Sequence, residues 1–434
     1  MNVTQQAQLA KESSFYLAAL PGETKNRALR ALAAGLQAGT REILQANELD
    51  LQAALLKVAA GQMKAGLYQR LKFSSDKLHA AINGIEELIT LPDPVGKVLD
   101  QTELDTGLIL QKISCPIGVL GIIFEARPDV IPQISALCIK TGNAALLKGG
   151  KEAWHTNQAL MKVVLNALRG VEGYPAGQFA LLATREETAQ MLTQDMYIDL
   201  IIPRGGQALL RYVKANTRIP VLGHADGVCH IYIACSADLQ MAQKLVVDAK
   251  TQYPAACNAL ETLLIDEHWP LENQRVLLTT LRENGVSLYG DCRVAALAPV
   301  AGPVQNWHTE YGEKELSVGF VPDVHAAITH INRYGSHHTD AIISTDKQEA
   351  ELFLNRVDSA GVYHNASTRF ADGYRYGFGA EVGISTAKTH ARGPVGMEGL
   401  TIYKYKLRGQ GQPVADYIGP HARAFTHKKL GEKL

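Results

Sequence analysis

The chain's 434 residues are 46% hydrophobic and 20% charged, enough for a sizeable core and, at roughly 150 residues per domain, for two or three domains. Lys plus Arg equals Asp plus Glu at 43 each, which excludes a global field toward nucleic acid or an anionic membrane, so any anionic ligand has to be met locally. The opening MNVTQQAQLAKES lacks the basic patch and apolar run of a secretion signal, and the apolar stretch IGVLGIIF is far short of the ~20 residues of a membrane span. A soluble, cytoplasmic protein is expected, without nucleic-acid or membrane partners. Six cysteines, at 115, 138, 229, 235, 257 and 292, include no CxxC pair, so they read as free thiols and no metal is expected.

In chain order, residues 3 to about 91 are rich in Ala, Leu, Gln, Glu and Lys. Leu29, Leu32, Leu36, Ile43 and Leu44 fall at helical spacing, which predicts an α-helical prelude. Pro92 and Pro94 end that pattern. Residues 95–130 then carry many β-branched and alternating residues and predict strands, one apolar enough to be buried. Further on, AALLKGG precedes an amphipathic stretch at 151–168, IDLIIPRGG one at 207–216 and HIYIACS one at 238–250. That alternation predicts strand–helix–strand units around a parallel sheet. A second set, from TLLID at 262–266 through DAIIST at 340–345, predicts another α/β unit.

Two of these units carry a glycine pair where strand hands over to helix: Gly149 and Gly150 between Lys148 and Lys151, and Gly205 and Gly206 after Pro203 and Arg204. A helix N-terminus there offers free N–H groups to phosphate, yet no GxGxxG fingerprint is present and plain tight turns read the same way. If a dinucleotide sits there, a lysine pair near its adenosine ribose favours NADP over NAD.

Cys257 lies in TQYPAACNALETLLI, between a helix ending near Lys250 and an apolar strand, and so on a loop, where scaffolds display nucleophiles. A cysteine is as readily a small hydrophobe. Cys115, Cys138, Cys229 and Cys235, set in apolar runs, read as core, as does His230.

IFEARPDV, ALLKGGKE, IPRGG, GVCHIYI, TQYPAACNALETLL and NASTRFADG together resemble the γ-glutamyl phosphate reductase family of the aldehyde dehydrogenase superfamily, over segments from about 112 to 404. The resemblance implies an α/β, aldehyde dehydrogenase-like fold: a Rossmann-type cofactor domain, an α/β catalytic domain and a small oligomerisation hairpin. Residues 1–230 would form the helical N-terminus and NADP-binding domain, interrupted by oligomerisation strands near 97–113. Residues 231–370 would form the catalytic domain, and 371–434 would return to the cofactor domain and add a C-terminal oligomerisation strand. The nucleophile is implied to be Cys257, and the cofactor, NADPH, to lie near Lys148, Gly149, Gly150, Lys151, Pro203, Arg204, Gly205 and Gly206. The implied chemistry is displacement of phosphate from L-glutamyl 5-phosphate by Cys257, then hydride reduction of the thioester to L-glutamate 5-semialdehyde, as in proline biosynthesis.

Two motifs depart from the wider superfamily. Where oxidising relatives carry a glutamate that hydrolyses the thioester, residues 222–230 read LGHADGVCH, which suits a reductase that keeps water away. His224 there either handles a proton beside the substrate or sits exposed in a turn, and Asp226 is a second titratable candidate. IFEARPDV lacks the usual oxyanion asparagine, so the Cys257 N–H and Asn258 become candidate donors. Arg127 either takes the departing phosphate or pairs with Glu125 or Asp129. In NASTRF, Arg369, with Ser367 beside it, is the candidate for the substrate α-carboxylate, or else a structural arginine. Glu315, in EKELS, marks the position of an acid that would hold the nicotinamide ribose, or belongs to a charged surface run.

The resemblance further implies a homo-oligomer built through the hairpin near 97–113 and the strand around 400–405, with glutamate 5-kinase as a transient neighbour. The basic tail HARAFTHKKLGEKL reads as a solvated end. Two rival readings are an NAD-dependent aldehyde dehydrogenase and a non-catalytic protein of the same fold.

Overall fold

The computed structural model describes residues 1–63, 65–223 and 226–431. The helical prelude comprises Val3–Leu17, Gly22–Ala38, Thr40–Ala59, Ala65–Leu71 and Ser75–Thr90. Leu29, Leu32 and Leu36 fall on one face of Gly22–Ala38 and are fully buried, where that helix lies against Trp154–Arg169 and Ser75–Thr90. No helix among the described residues is long and apolar enough to cross a membrane.

A four-stranded parallel sheet follows, in the order Phe179–Leu182, Ala144–Lys148, Val119–Phe124, Leu200–Arg204. Every residue of its two central strands is buried, because helices cover both faces, and this explains why these strands read as unbroken apolar runs. Strand order reverses between Val119–Phe124 and Leu200–Arg204, so the loops after these two strands flank a crevice at the carboxyl edge. The second sheet is six-stranded and parallel: Gly361–His364, Thr339–Ile343, Cys229–Ile233, Leu260–Asp266, Glu315–Val321, Ser287–Tyr289.

A third sheet is antiparallel, with strands Thr401–Arg408, Leu108–Pro116, Val98–Asp105 and Lys428–Lys429. Thr401–Arg408 is its outer strand, and Ile402, Tyr403, Tyr405 and Leu407 are exposed along it. The C-terminal tail is solvated as expected, with residues 421–429 exposed, but it is tied down. Its Lys428 and Lys429 extend this sheet, and Tyr417 and Arg423 reach the carboxylate of Asp105 at 2.9 and 2.5 Å.

The first core is completed by residues from late in the chain. Val382, Ala391, Val395 and Leu400 pack with Leu29, Ile131 and Leu147, and the buried Asn143 side chain donates to the Leu400 carbonyl at 2.8 Å. Two of the cysteines assigned to cores lie elsewhere. Cys235 is exposed, because its strand ends at Ile233 and it falls in the turn beyond. Cys115 is half-buried, on an antiparallel strand with one open face. Cys138 and Cys229 are buried as expected.

Candidate active site

Cys257 sits in the turn between helix Leu239–Thr251 and strand Leu260–Asp266, closed by Ala256 N–H to Tyr253 O at 3.1 Å and Ala259 N–H to Ala256 O at 2.9 Å. The turn is pressed onto Gly227, where a side chain would overlap the Cys257 carbonyl; only glycine permits that approach. The backbone N–H groups of Cys257 and Asn258 find no acceptor among the described residues, so both remain available to a developing oxyanion. The Asn258 side chain is buried and donates to the Ala371 carbonyl at 2.8 Å, which ties the turn to the C-terminal segment.

The Cys257 thiol is half-buried. Burial works against its ionisation, but the adjacent His338 imidazole and the Arg204 guanidinium outweigh burial and the Glu310 carboxylate, so the thiol is held below its ordinary value. Cys229 lies behind it, its Sγ 3.3 Å from the Cys257 carbonyl, and burial pushes that second thiol well up, beyond reach of ionisation at neutral pH. His338 was not singled out from the sequence. Its only local signal was two adjacent histidines, in GSHHTD, at the mouth of an apolar strand.

Arg204 ends strand Leu200–Arg204 and turns its guanidinium into the cleft, against Gly383. Arg127 has no ion pair with Glu125 or Asp129 and instead lies close enough to Arg204 to disfavour the charge there, although burial is the larger cause. The Arg204 guanidinium lies near the Cys257 thiol, with Arg127, Glu381 and Asp129 among its charged neighbours. A Cβ at Gly383 would overlap Arg204 Nη1. Gly383→Ala is therefore expected to displace that guanidinium and weaken binding of inorganic phosphate about tenfold, equivalent to ~1.4 kcal/mol, by titration calorimetry.

Arg369 approaches Cys257 from the second sheet; it is buried, its Nε donates to Gln252 Oε1 at 2.9 Å, and its guanidinium lies 5.8 Å from the Tyr253 ring centroid. Ser367 caps the short helical turn Thr368–Phe370, accepting from Arg369 N–H at 3.3 Å. Asn365 has a positive φ of 54° and both side-chain atoms bonded to the Ser344 backbone, which is a structural use. His224 lies outside the described residues. His230 is a buried core residue, its Nδ1 3.0 Å from Asp340 Oδ1. Glu315 is half-buried and accepts from the Tyr289 hydroxyl at 3.0 Å rather than lying on an open charged face. No group of three potential metal-ligating side chains occurs among the described residues.

Both glycine pairs stand at strand–helix junctions of the first sheet. Gly206 caps helix Gln207–Asn216 without any side-chain cap of its own, and its N–H donates to the Glu125 carboxylate at 3.3 Å. Lys148 is buried at the end of its strand, with Nζ 2.5 Å from the Gly149 carbonyl, and burial lowers its basicity. Beneath Gly149, both polar atoms of the Asn157 side chain are buried with no partner among the described residues. An open helix N-terminus, a lysine and an unpartnered amide along one carboxyl edge fit a dinucleotide.

A model of the aldehyde dehydrogenase family matches residues 1–279. The γ-glutamyl phosphate reductase of Acaryochloris marina is 51% identical over 430 residues, which cover 99% of each chain. The chain belongs to the γ-glutamyl phosphate reductases of the aldehyde dehydrogenase family. The crystal structure of γ-glutamyl phosphate reductase from Thermotoga maritima superimposes with a TM-score of 0.91 at 36% identity, covering 95% of this chain and 100% of that one. An acetylating aldehyde dehydrogenase from Geobacillus thermoglucosidasius, at 15% identity and a TM-score of 0.66 over 95% and 97% of the two chains, shares the fold alone. Aldehyde dehydrogenases work with a nicotinamide cofactor.

Proposed function

We propose that this chain reduces L-glutamyl 5-phosphate to L-glutamate 5-semialdehyde with NADPH, releasing phosphate, as a step of proline biosynthesis. The observation that carries the reading is the Cys257 thiol, held below its ordinary value in the neighbourhood of Arg204 and Arg369, with Arg127 next to Arg204. In this reading the Cys257 sulfur bonds to the γ-acyl carbon while the carbon–oxygen bond to phosphate breaks, and the phosphate leaves with the electron pair toward Arg127 and Arg204. Arg369, with Ser367, grips the α-carboxylate, which sets the distance from that group to the reacting carbon. The N–H groups of Cys257 and Asn258 stabilise the tetrahedral oxygen. When bound, the reduced nicotinamide supplies the hydride that converts the thioester to a thiohemiacetal. Breaking the carbon–sulfur bond then frees the semialdehyde and restores the thiolate.

Lys148, with Lys151, supports selection of NADPH through the 2′-phosphate, while Pro203 to Gly206 cradle the pyrophosphate and Glu315 the nicotinamide ribose. Lys148→Ala is expected to lower the kcat/KM preference for NADPH over NADH about tenfold, as loss of one charged hydrogen bond predicts. We assign residues 1–230 and 371–434 to the cofactor domain with its oligomerisation strands, and 231–370 to the catalytic domain. The outer edge of strand Thr401–Arg408, which pairs with no strand among the described residues, favours a homo-oligomer formed by edge pairing. The cell compartment in this reading is the cytoplasm, where glutamate 5-kinase would supply the labile acyl phosphate by transient contact.

The test runs in reverse, with L-glutamate 5-semialdehyde, NADP and phosphate. Phosphate-dependent reduction of NADP supports the reading. Phosphate-independent oxidation would make the protein an ordinary aldehyde dehydrogenase, a reading disfavoured by the absence of glutamate from residues 222–230.

A further inference from the structure

We infer that Gln252 is a positioning residue: it holds Arg369 by its Nε and so turns the two Nη groups of that guanidinium, as a fork, toward the substrate's α-carboxylate. The inference rests on the functional reading above, in which Arg369 takes that carboxylate, and adds to it the group that aims the arginine.

The bonds around Arg369 leave one end of it free. Its Nε donates to Gln252 Oε1 at 2.9 Å. Its own N–H donates to Ser367 Oγ at 3.3 Å, and its carbonyl accepts from Arg375 Nη1 at 2.7 Å. No hydrogen bond or ion pair reaches either Nη from the described residues, and neither is sealed from solvent. The nearby Asp372 does not take them: it accepts from the backbone N–H groups of Tyr374 and Arg375 at 3.0 and 3.2 Å and lies 3.7 Å from the Arg375 guanidinium. A guanidinium anchored at Nε keeps both Nη groups in one plane, the geometry that meets a carboxylate with two parallel bonds. The rest of the side chain is buried, so an anion that completes the fork also offsets the desolvation of its charge.

Gln252 decides where the fork sits because it belongs to the turn that displays the nucleophile. It directly follows helix Leu239–Thr251 and stands five residues before Cys257. On the other side of the thiol, Asn258 Nδ2 donates to the Ala371 carbonyl at 2.8 Å, two residues beyond Arg369. The turn and the 369–371 segment are thus clasped at two points that bracket Cys257, and these two bonds fix the span from fork to sulfur. Tyr253 lies alongside, its ring centroid 5.8 Å from the Arg369 guanidinium carbon. Gln252 itself is exposed, so its replacement removes no core packing.

The test is a double-mutant cycle in the reverse reaction, with L-glutamate 5-semialdehyde varied at saturating NADP and phosphate, on wild type, Gln252→Ala, Arg369→Ala and the double variant. Gln252→Ala should raise KM for the semialdehyde about tenfold with kcat within about twofold, the signature of a loosened grip on a remote group. Arg369→Ala should raise KM on the order of a hundredfold, and adding Gln252→Ala should change nothing further, because a positioning residue acts only through the group it positions. A wild-type KM in Gln252→Ala would overturn the inference and, with a lowered melting temperature, make the glutamine merely structural. A further tenfold rise on top of Arg369→Ala would overturn it as well. Should Arg369→Ala not fold, Arg369→Lys takes its place, since an ammonium cannot both bond Gln252 and fork a carboxylate. A wild-type KM in the folded Arg369 variant would instead overturn the carboxylate assignment of the functional reading, and the inference with it.

Discussion

Cys257→Ala is expected to lower kcat on the order of 10⁴-fold or more while leaving the fold intact. In the proposed reaction the thioester forms on the Cys257 sulfur, and among the described residues Cys229, the nearest other thiol, cannot replace it. Cys229 is fully buried and its thiol is held protonated. Cys257 itself is half-buried in a turn held by backbone hydrogen bonds, so loss of its Sγ removes little packing. Thermal unfolding of the variant should match wild type, and binding of NADPH, followed by fluorescence, should persist. Cys257→Ser should be nearly as inactive, because a hydroxyl is hardly ionised where a thiol is. In wild type the thiol is held below its ordinary value, so its ionised fraction falls only as pH drops through that lowered value. The acid limb of kcat/KM should therefore lie below the usual thiol range. A variant retaining more than a few per cent of wild-type rate would remove the cysteine from the chemistry.

Lys250→Met should destabilise the protein by about 3–5 kcal/mol, measured by denaturant unfolding, because it strands a buried carboxylate. Lys250 Nζ lies 2.8 Å from Glu261 Oε2 and both side chains are fully buried. Burial raises the Glu261 carboxyl to about 7 against the pull of the Lys250 ammonium. The carboxylate also accepts from the backbone N–H groups of Tyr311 at 3.3 Å and Gly312 at 3.2 Å. The pair thus fastens the strand that follows Cys257 to the loop that carries Glu310. Pairing Lys250→Met with Glu261→Leu should recover much of the loss, since an apolar pair leaves no charge unmatched. If the single variant costs less than about 1 kcal/mol, the carboxylate has found another partner or water.

What could be read from the sequence follows from where apolar residues repeat. The helices after Val3 and the parallel strands were legible because burial on one face or on both leaves a period in the chain. Cys257 was legible chiefly through the resemblance of its surrounding segment. The place of His338, its Nδ1 3.8 Å from Cys229 Sγ, was not, because it precedes strand Thr339–Ile343, far along the chain from Cys229, and nears it only when the second sheet forms. That Arg127 would not pair with its sequence neighbours was also hidden: Glu125 and Asp129 flank it in sequence, yet Glu125 accepts instead from the Gly206 N–H. Cys235 was misread because the apolar run outlasts the strand, which stops at Ile233. The basic tail is solvated as read, but nothing local reveals that Asp105 would hold it.

The late residues that seal the first core also constrain how the chain is made. Val382, Val395 and Leu400 belong with Leu29 and Ile131, so the N-terminal half leaves the ribosome with part of its apolar surface uncovered. That surface stays open while the whole six-stranded sheet is translated and is closed only when the last strands emerge. Nascent chains stalled before residue 380 should therefore be the ones that chaperones hold, and release should come with the arrival of the segment ending at Leu400.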